Sequence, residues 1–197
     1  EKNISLLSAS IMYLHYKNGI HINDSFFFNE EMESIGKWYR QLVGESIGKE
    51  KDVDGNEIRT GILPTVSIGS TDLHSVAQLY FGGPKTILFN LVYARQQRYR
   101  VEMPQKLLFE NLLPDIENKN MADIMDAIYG GVKAALQKKK IPYIEIEMNN
   151  ISEYTVGQYL QFKMLEIMYL GKLLNINVFN QPNVEDYKKE TRALLKK

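Results

Sequence analysis

Apolar positions alternate along the chain between two spacings, one suited to a helix face and one to a buried strand. Residues 3–17 read as a helix that stops at Lys17-Asn18-Gly19. Ile20 to Phe28 follows as an extended, buried segment containing Phe26-Phe27-Phe28. Asn29 stands where it can cap the next helix, and Glu30, Glu31 and Glu33 suit its positive N-terminal end. Ile35, Trp38, Tyr39, Leu42 and Val43 form an apolar stripe on that helix, and Gly48 is its stop.

The segment 50–61 is charged, with Asp54-Gly55-Asn56 as a turn. Leu63 to Ile68 is a short strand leading into the loop Gly69-Ser70-Thr71-Asp72, and one helix is expected over 72–82. Thr86 to Val92 is a continuous apolar run, the mark of a central parallel strand covered on both faces. Residues 95–118 read as polar and irregular. Met121 to Lys139 is a helix and Tyr143 to Met148 a strand. Ser152 caps a long helix to about Leu174, Asn175 to Asn183 is a loop, and an amphipathic helix closes the chain from Val184 to Lys197. Strands alternating with helices predict an α/β fold, a three-layer sandwich with a mostly parallel sheet between helices. Ligands of such folds sit at the carboxyl ends of strands, which draws attention to the loop after Ile68.

Composition narrows the function classes. Lys plus Arg and Asp plus Glu are both 24 in 197 residues, so no net charge pulls the chain toward nucleic acid or an anionic membrane. With no cysteine, thiolate catalysis, disulfides and Cys-bound zinc are excluded, and a cytoplasmic setting is expected. No apolar run reaches the roughly 20 residues of a membrane helix, and no basic-then-apolar leader precedes residue 4. The chain opens on Glu1 and enters a helix at once, so it is expected to be part of a longer protein.

Gln41 and Glu45 lie four residues apart and leave one helix face, which sets a carboxylate beside a hydrogen-bonding amide. That pairing suits proton abstraction from a carbon acid, although a lone Glu is ordinarily a solvated surface group. Gly44, Gly48 and Lys49 do not make a phosphate loop, because three residues separate the glycines and Glu50 follows the lysine. His74 sits at a strand-to-helix turn, where imidazole can pass protons near neutral pH; the bland alternative is a hydrogen-bonded structural histidine. His15 and His21 have no such setting, and the three histidines lack metal-ligand spacing, so zinc is not expected. Lys138 to Lys140 and Arg95, Arg98 and Arg100 read as solvated faces. Tyr159, Phe162, Met164 and Met168 on the long helix read as core or subunit interface.

Three segments together resemble the glucose-6-phosphate isomerase family, specifically its C-terminal sugar-isomerase (SIS) half. They are Trp38-Tyr-Arg-Gln41-Leu-Val-Gly-Glu45-Ser-Ile-Gly-Lys49, Gly69-Ser-Thr-Asp-Leu-His74-Ser-Val-Ala-Gln78-Leu-Tyr-Phe-Gly-Gly-Pro84, and Leu173-Leu-Asn-Ile-Asn-Val-Phe-Asn-Gln181-Pro-Asn-Val184-Glu185-Asp-Tyr-Lys188. Their order and separations make the resemblance specific over nearly the whole chain, with residues 1–18 as a linking helix. It implies a metal-free aldose–ketose isomerisation of glucose 6-phosphate and fructose 6-phosphate through a cis-enediol, in glycolysis and gluconeogenesis. Glu45 would be the base, His74 and Lys188 would open and close the ring, and Gln41 and Gln181 would hold the sugar phosphate. It also implies a homodimer with the histidine donated across the interface. The family's enediolate-binding arginine and its Ser/Thr-rich phosphate loop belong to the N-terminal half, so 1–197 alone is expected to be inactive. Leu73, Asn180 and Met164 depart from the residues common in the family. A sugar-phosphate-binding module without catalysis is the alternative, and the joint presence of Glu45, His74 and Lys188 speaks against it.

Overall fold

The computed structural model describes residues 3–96, 101–104, 114–117 and 119–196. Its centre is a four-stranded sheet in the order β4-β1-β5-β6, formed by β1 (Ile22–Phe27), β4 (Leu63–Ile68), β5 (Ile87–Gln96) and β6 (Tyr143–Asn150). All three pairings are parallel. Helices α1 (Ile4–Lys17), α2 (Glu33–Ile47) and α6 (Glu153–Leu173) cover one face. Helices α4 (Ala77–Gly82) and α5 (Met121–Lys139) cover the other. The three-layer α/β sandwich expected from the alternation of periods is therefore the fold. Among the described residues no helix is long and apolar enough to cross a membrane.

Period-two alternation decides which side chains enter which layer. Phe26 and Phe28 of the first strand region, with Phe89, Leu91 and Tyr93 of β5, pack on α5 through Tyr129, Val132 and Leu136. Phe27 and Val92 point the other way, into a cluster with Met32 and Tyr159. Each of these phenylalanines is almost wholly buried, and such burial stabilises by about 1.5–3 kcal/mol per side chain.

Helix α2 follows the carboxyl end of β1 and runs back toward the amino end of β4. Its beginning lies tight on the sheet at Gly36, where a Cβ would fall 2.7 Å from both Phe27 and Val66 side chains. Its end, Val43 and Ile47, packs with Ile62 and Leu88, which precede or open their strands. At the start of α6, Ser152 accepts from the Thr155 N–H at 3.3 Å and the Thr155 hydroxyl accepts from the Ser152 N–H at 3.1 Å, a reciprocal capping box.

The structure corrects several local readings. Asn29 does not cap α2; a short 3-10 turn (Glu30–Met32) intervenes, and Asn29 Oδ1 accepts the Ala94 N–H at 2.8 Å, tying β1's exit to β5. The charged segment 50–61 contains an antiparallel hairpin of β2 (Lys49–Lys51) and β3 (Glu57–Thr60). The single helix expected over 72–82 is two, α3 (Thr71–Ser75) and α4, parted at Val76 with φ −127°. Strand β5 runs on to Gln96 and a 3-10 turn occupies Pro114–Ile116; the rest of the stretch 95–118, including Arg98 and Arg100, lies mostly outside the described residues. The terminal helix α7 spans Val184–Leu194. Lys138, Lys139 and Lys140 are exposed at the end of α5.

On α6 the residues expected in the core or at a subunit interface divide, and two charged residues take core positions. Tyr159 is buried, yet Met164 and Met168 are 39% and 45% exposed while Lys163 and Glu166 are fully buried. The reason is a closed polar knot between α1, α2 and α6. Lys163 Nζ donates to both Glu166 oxygens at 3.0 and 3.1 Å. Ser8 Oγ donates to Oε1 at 2.5 Å and Tyr39 OH to Oε2 at 2.6 Å. The ammonium also lies over the Tyr39 ring, 4.6 Å from its centre.

Candidate active site

Helix α2 carries Gln41 and Glu45 one turn apart near its C-terminus, Gln41 exposed and Glu45 half-buried. Because α2 runs back against the strands, both stand toward the amino end of the sheet. The last carbonyls of a helix lack intrahelical partners. Here the Gly44 carbonyl accepts the Gly48 N–H at 3.4 Å, and the Glu45 carbonyl accepts Lys49 Nζ at 2.8 Å. Lys49 Nζ also donates to the Asn180 carbonyl, at 2.7 Å.

That second bond brings in the loop between α6 and α7. The hairpin and the loop are joined further: Val53 N–H donates to the Asn175 carbonyl at 3.0 Å, Asn175 Nδ2 to Asp54 at 2.8 Å, and Asn183 Nδ2 to Glu50 at 3.2 Å. Gln181 lies in this loop, exposed, next to the anchored Asn180. A polar cleft of about 500 Å³ opens here, lined by Lys49, Lys51, Asp52, Asn177, Asn180 and Asp186 among others.

Lys188 projects from α7 one turn after Glu185 and pairs with it at 2.8 Å. The hydrogen bond and charge of Glu185 raise the Lys188 ammonium above the ordinary lysine value, and the Glu45 carboxylate adds to the rise. Glu185 is lowered in return, through the same hydrogen bond and charge. At Lys49 burial pulls the ammonium down, and the Glu45 carboxylate opposes it. Glu45 thus acts electrostatically on two lysines, one from β2 and one from α7.

Of the residues singled out in the sequence, Gln41 and Glu45 share one helix face, the loop carrying Gln181 is tied to the end of α2 through Lys49, and Lys188 lies within electrostatic reach of Glu45. It does not bring His74 to them. His74 lies exposed on α3, beyond the carboxyl end of β4. The turn that carries it is built by Asp72, whose Oδ2 accepts the Ile68 N–H at 2.7 Å and whose Oδ1 accepts the Ser75 hydroxyl at 2.8 Å. Beneath, Tyr80 OH is held by Ser67 Oγ at 2.8 Å and by Asp24 Oδ1 at 3.3 Å. The fifteen residues of α2 correspond to a rise of roughly 22 Å, which is the scale of the separation between the two ends of the sheet.

Lys49 is not among the site residues expected from the sequence, where it figures only in a rejected phosphate loop and at the end of the first motif. The signal was its place four residues after Glu45, at the spacing where a cation meets a helix's C-terminal carbonyls. His15 is half-buried in α1, and His21 stacks edge-on against Tyr16 at 4.8 Å.

Known proteins share this arrangement of sequence and fold. Residues 1–197 match the family model of phosphoglucose isomerase. The chain is 33% identical to glucose-6-phosphate isomerase of Methanocaldococcus jannaschii over 195 residues, 99% of this chain and 46% of that protein. It is 32% identical to the enzyme of that name from Carboxydothermus hydrogenoformans, over 98% of this chain and 42% of that protein. A hypothetical protein of Thermus thermophilus superposes with a TM-score of 0.88 at 27% identity, over 95% of this chain and 44% of that one. The chain therefore spans less than half the length of the relatives it matches. With a match that runs from its first residue to its last, the chain belongs to the phosphoglucose isomerase family.

Proposed function

We propose that the full-length protein containing this chain interconverts glucose 6-phosphate and fructose 6-phosphate; relatives similar to it are named glucose-6-phosphate isomerase. The observation that supports the reading is the tie, through Lys49, between the Glu45 end of α2 and the loop that carries Gln181, with the Lys188 ammonium within electrostatic reach of Glu45. In the open-chain aldose, Glu45 takes the proton from C2 while the carbonyl oxygen on C1 gains one, giving a cis-enediol. Glu45 then returns its proton to C1 and the C2 hydroxyl loses its own, leaving the ketose. Lys188 and His74 assist ring opening, and Gln41 and Gln181 hydrogen-bond the sugar phosphate. No metal or cofactor takes part.

A homodimer in which His74 crosses to the neighbouring copy fits this scheme, because Glu45 and His74 belong to opposite ends of one sheet. The positive charge that steadies the enediolate, and the phosphate loop, come from the rest of the protein, so residues 1–197 alone have little or no activity. The reaction belongs to glycolysis and gluconeogenesis in the cytoplasm.

The test is Glu45→Gln in the full-length protein. Turnover is expected to fall by roughly 10²–10⁴-fold or more, the range of a positioned base. Fructose 6-phosphate binding, measured by calorimetry, should persist. Turnover that survives the substitution removes Glu45 from the role of base.

A further inference from the structure

Lys49 is the first residue after the glycine that ends α2. Gly48 takes an extended conformation (φ −69°, ψ 103°), which turns the chain out of the helix. The lysine side chain folds back beneath the helix end, and the residue is only 6% exposed. Burying an ammonium is costly unless its donors are satisfied. Its two hydrogen bonds go to the backbone carbonyls of Glu45 and Asn180, the latter 131 residues away in sequence. One is the carbonyl of the base itself, and the other adjoins Gln181. A surface lysine capping a helix would reach only the first.

We propose that Lys49 is a positioning residue for this site, clamping the Glu45 end of α2 to the Gln181 loop through its two carbonyl hydrogen bonds. The inference rests on the isomerase reading above. The clamp confines the base and a substrate-binding amide to one geometry before substrate arrives, the kind of pre-organisation on which proton transfer depends. Other charged groups face the same place and remain in every variant: Lys188, Glu185 and Asp186 on α7, and Glu50, Lys51 and Asp52 on the hairpin, with Arg59 paired to Glu50.

Three variants of the full-length protein test the clamp: Lys49→Arg, Lys49→Gln and Lys49→Met. Glucose 6-phosphate isomerisation is followed as kcat and KM, with thermal unfolding measured beside it. Lys49→Met donates no hydrogen bond, and its KM should rise by about tenfold. Lys49→Gln keeps a donor on a shorter side chain, and its KM should rise by about threefold or more. Lys49→Arg keeps a long donor able to reach both carbonyls and should hold KM within about twofold of the wild type. A helix cap with no role in the site would lower thermal stability in Lys49→Gln and Lys49→Met while leaving kcat and KM at the wild-type values, and that result overturns the proposal. If Lys49→Met does not fold, the Arg and Gln variants decide the matter by KM alone. An inactive wild-type full-length protein overturns the isomerase reading and this inference together, whereas an active wild type with unmoved variants overturns only the inference.

Discussion

Two Lys–Glu pairs of this chain share the same spacing on a helix and nearly the same length. Lys163 and Glu166 meet at 3.0 Å on α6, and Lys188 and Glu185 at 2.8 Å on α7. The first pair is sealed from water, whereas the side chains of the second are 41% and 53% exposed. In the interior each charge must be matched, and Ser8 and Tyr39 supply the hydroxyls that complete the Glu166 shell. At the surface water competes for every bond, so the pair adds little to stability and its lysine can be handed to a ligand. Burial, not pairing, separates a structural ion pair from an exchangeable one.

The sharpest way to break this contrast is Glu166→Ala. It strands the Lys163 ammonium in the core and should cost about 3–5 kcal/mol, read as a lower urea midpoint of the full-length protein. Replacing the whole knot with apolar groups (Lys163→Met, Glu166→Leu, Tyr39→Phe and Ser8→Ala together) should restore most of that loss. Leaving the two hydroxyls in place should hold back about 1–3 kcal/mol for each one unsatisfied. If the single and the combined variants unfold alike, the knot is not an electrostatic unit.

On the surface pair the expected effects exchange places. Lys188→Gln should leave thermal unfolding where the wild type has it, because exposed pairs contribute little. Isomerase turnover should drop by about a hundredfold, within the range of a positioned acid–base group. A large fall in melting temperature with intact turnover would reverse the reading of both pairs.

Asp24 offers a third, milder case: a buried carboxylate with hydroxyl partners. Its Oδ1 accepts from Thr65 at 2.5 Å and from Ser67 at 3.1 Å. Burial raises its pKa above 3.8, and the hydroxyl bonds counter only part of the rise. A carboxylate raised in the folded state binds its proton more tightly there than in the unfolded chain. The wild type should therefore lose stability as pH climbs from about 4 through the raised folded value, and be flat above it. Asp24→Asn should lack that slope, so melting curves recorded at a series of pH values should diverge as pH rises. Parallel curves would show that Asp24 is not held with a raised affinity for its proton.

Much of this architecture was legible because burial leaves a simple trace. The stripe Ile35, Trp38, Tyr39, Leu42 and Val43 announced α2, and the breaker-bounded run before Val92 announced a central strand. What escaped were features whose logic is not hydrophobic. The β2–β3 hairpin is charged on both strands and covers no core, so nothing in its spacing marks it. Val76 parts two helices by a backbone turn that no single side chain dictates. Lys163 and Glu166 look like surface residues until the knot they form with Ser8 and Tyr39, drawn from three helices, is seen together. At the candidate site, the shared helix face of Gln41 and Glu45 could be read from spacing on one element. The link from Lys49 to Asn180 could not, because it joins residues that only the folded chain brings near.

Strand β6 ends the sheet on one flank, with β5 its partner among the described residues. Such a rim offers backbone donors and acceptors to any passing strand. Glu145 and Glu147 stand on it, braced by Lys133 at 2.7 Å and by Arg95. A twin strand laid alongside in register would set acid against acid, so the same two glutamates that bind this rim to its own helix and neighbour also discourage stacking of molecules into fibrils.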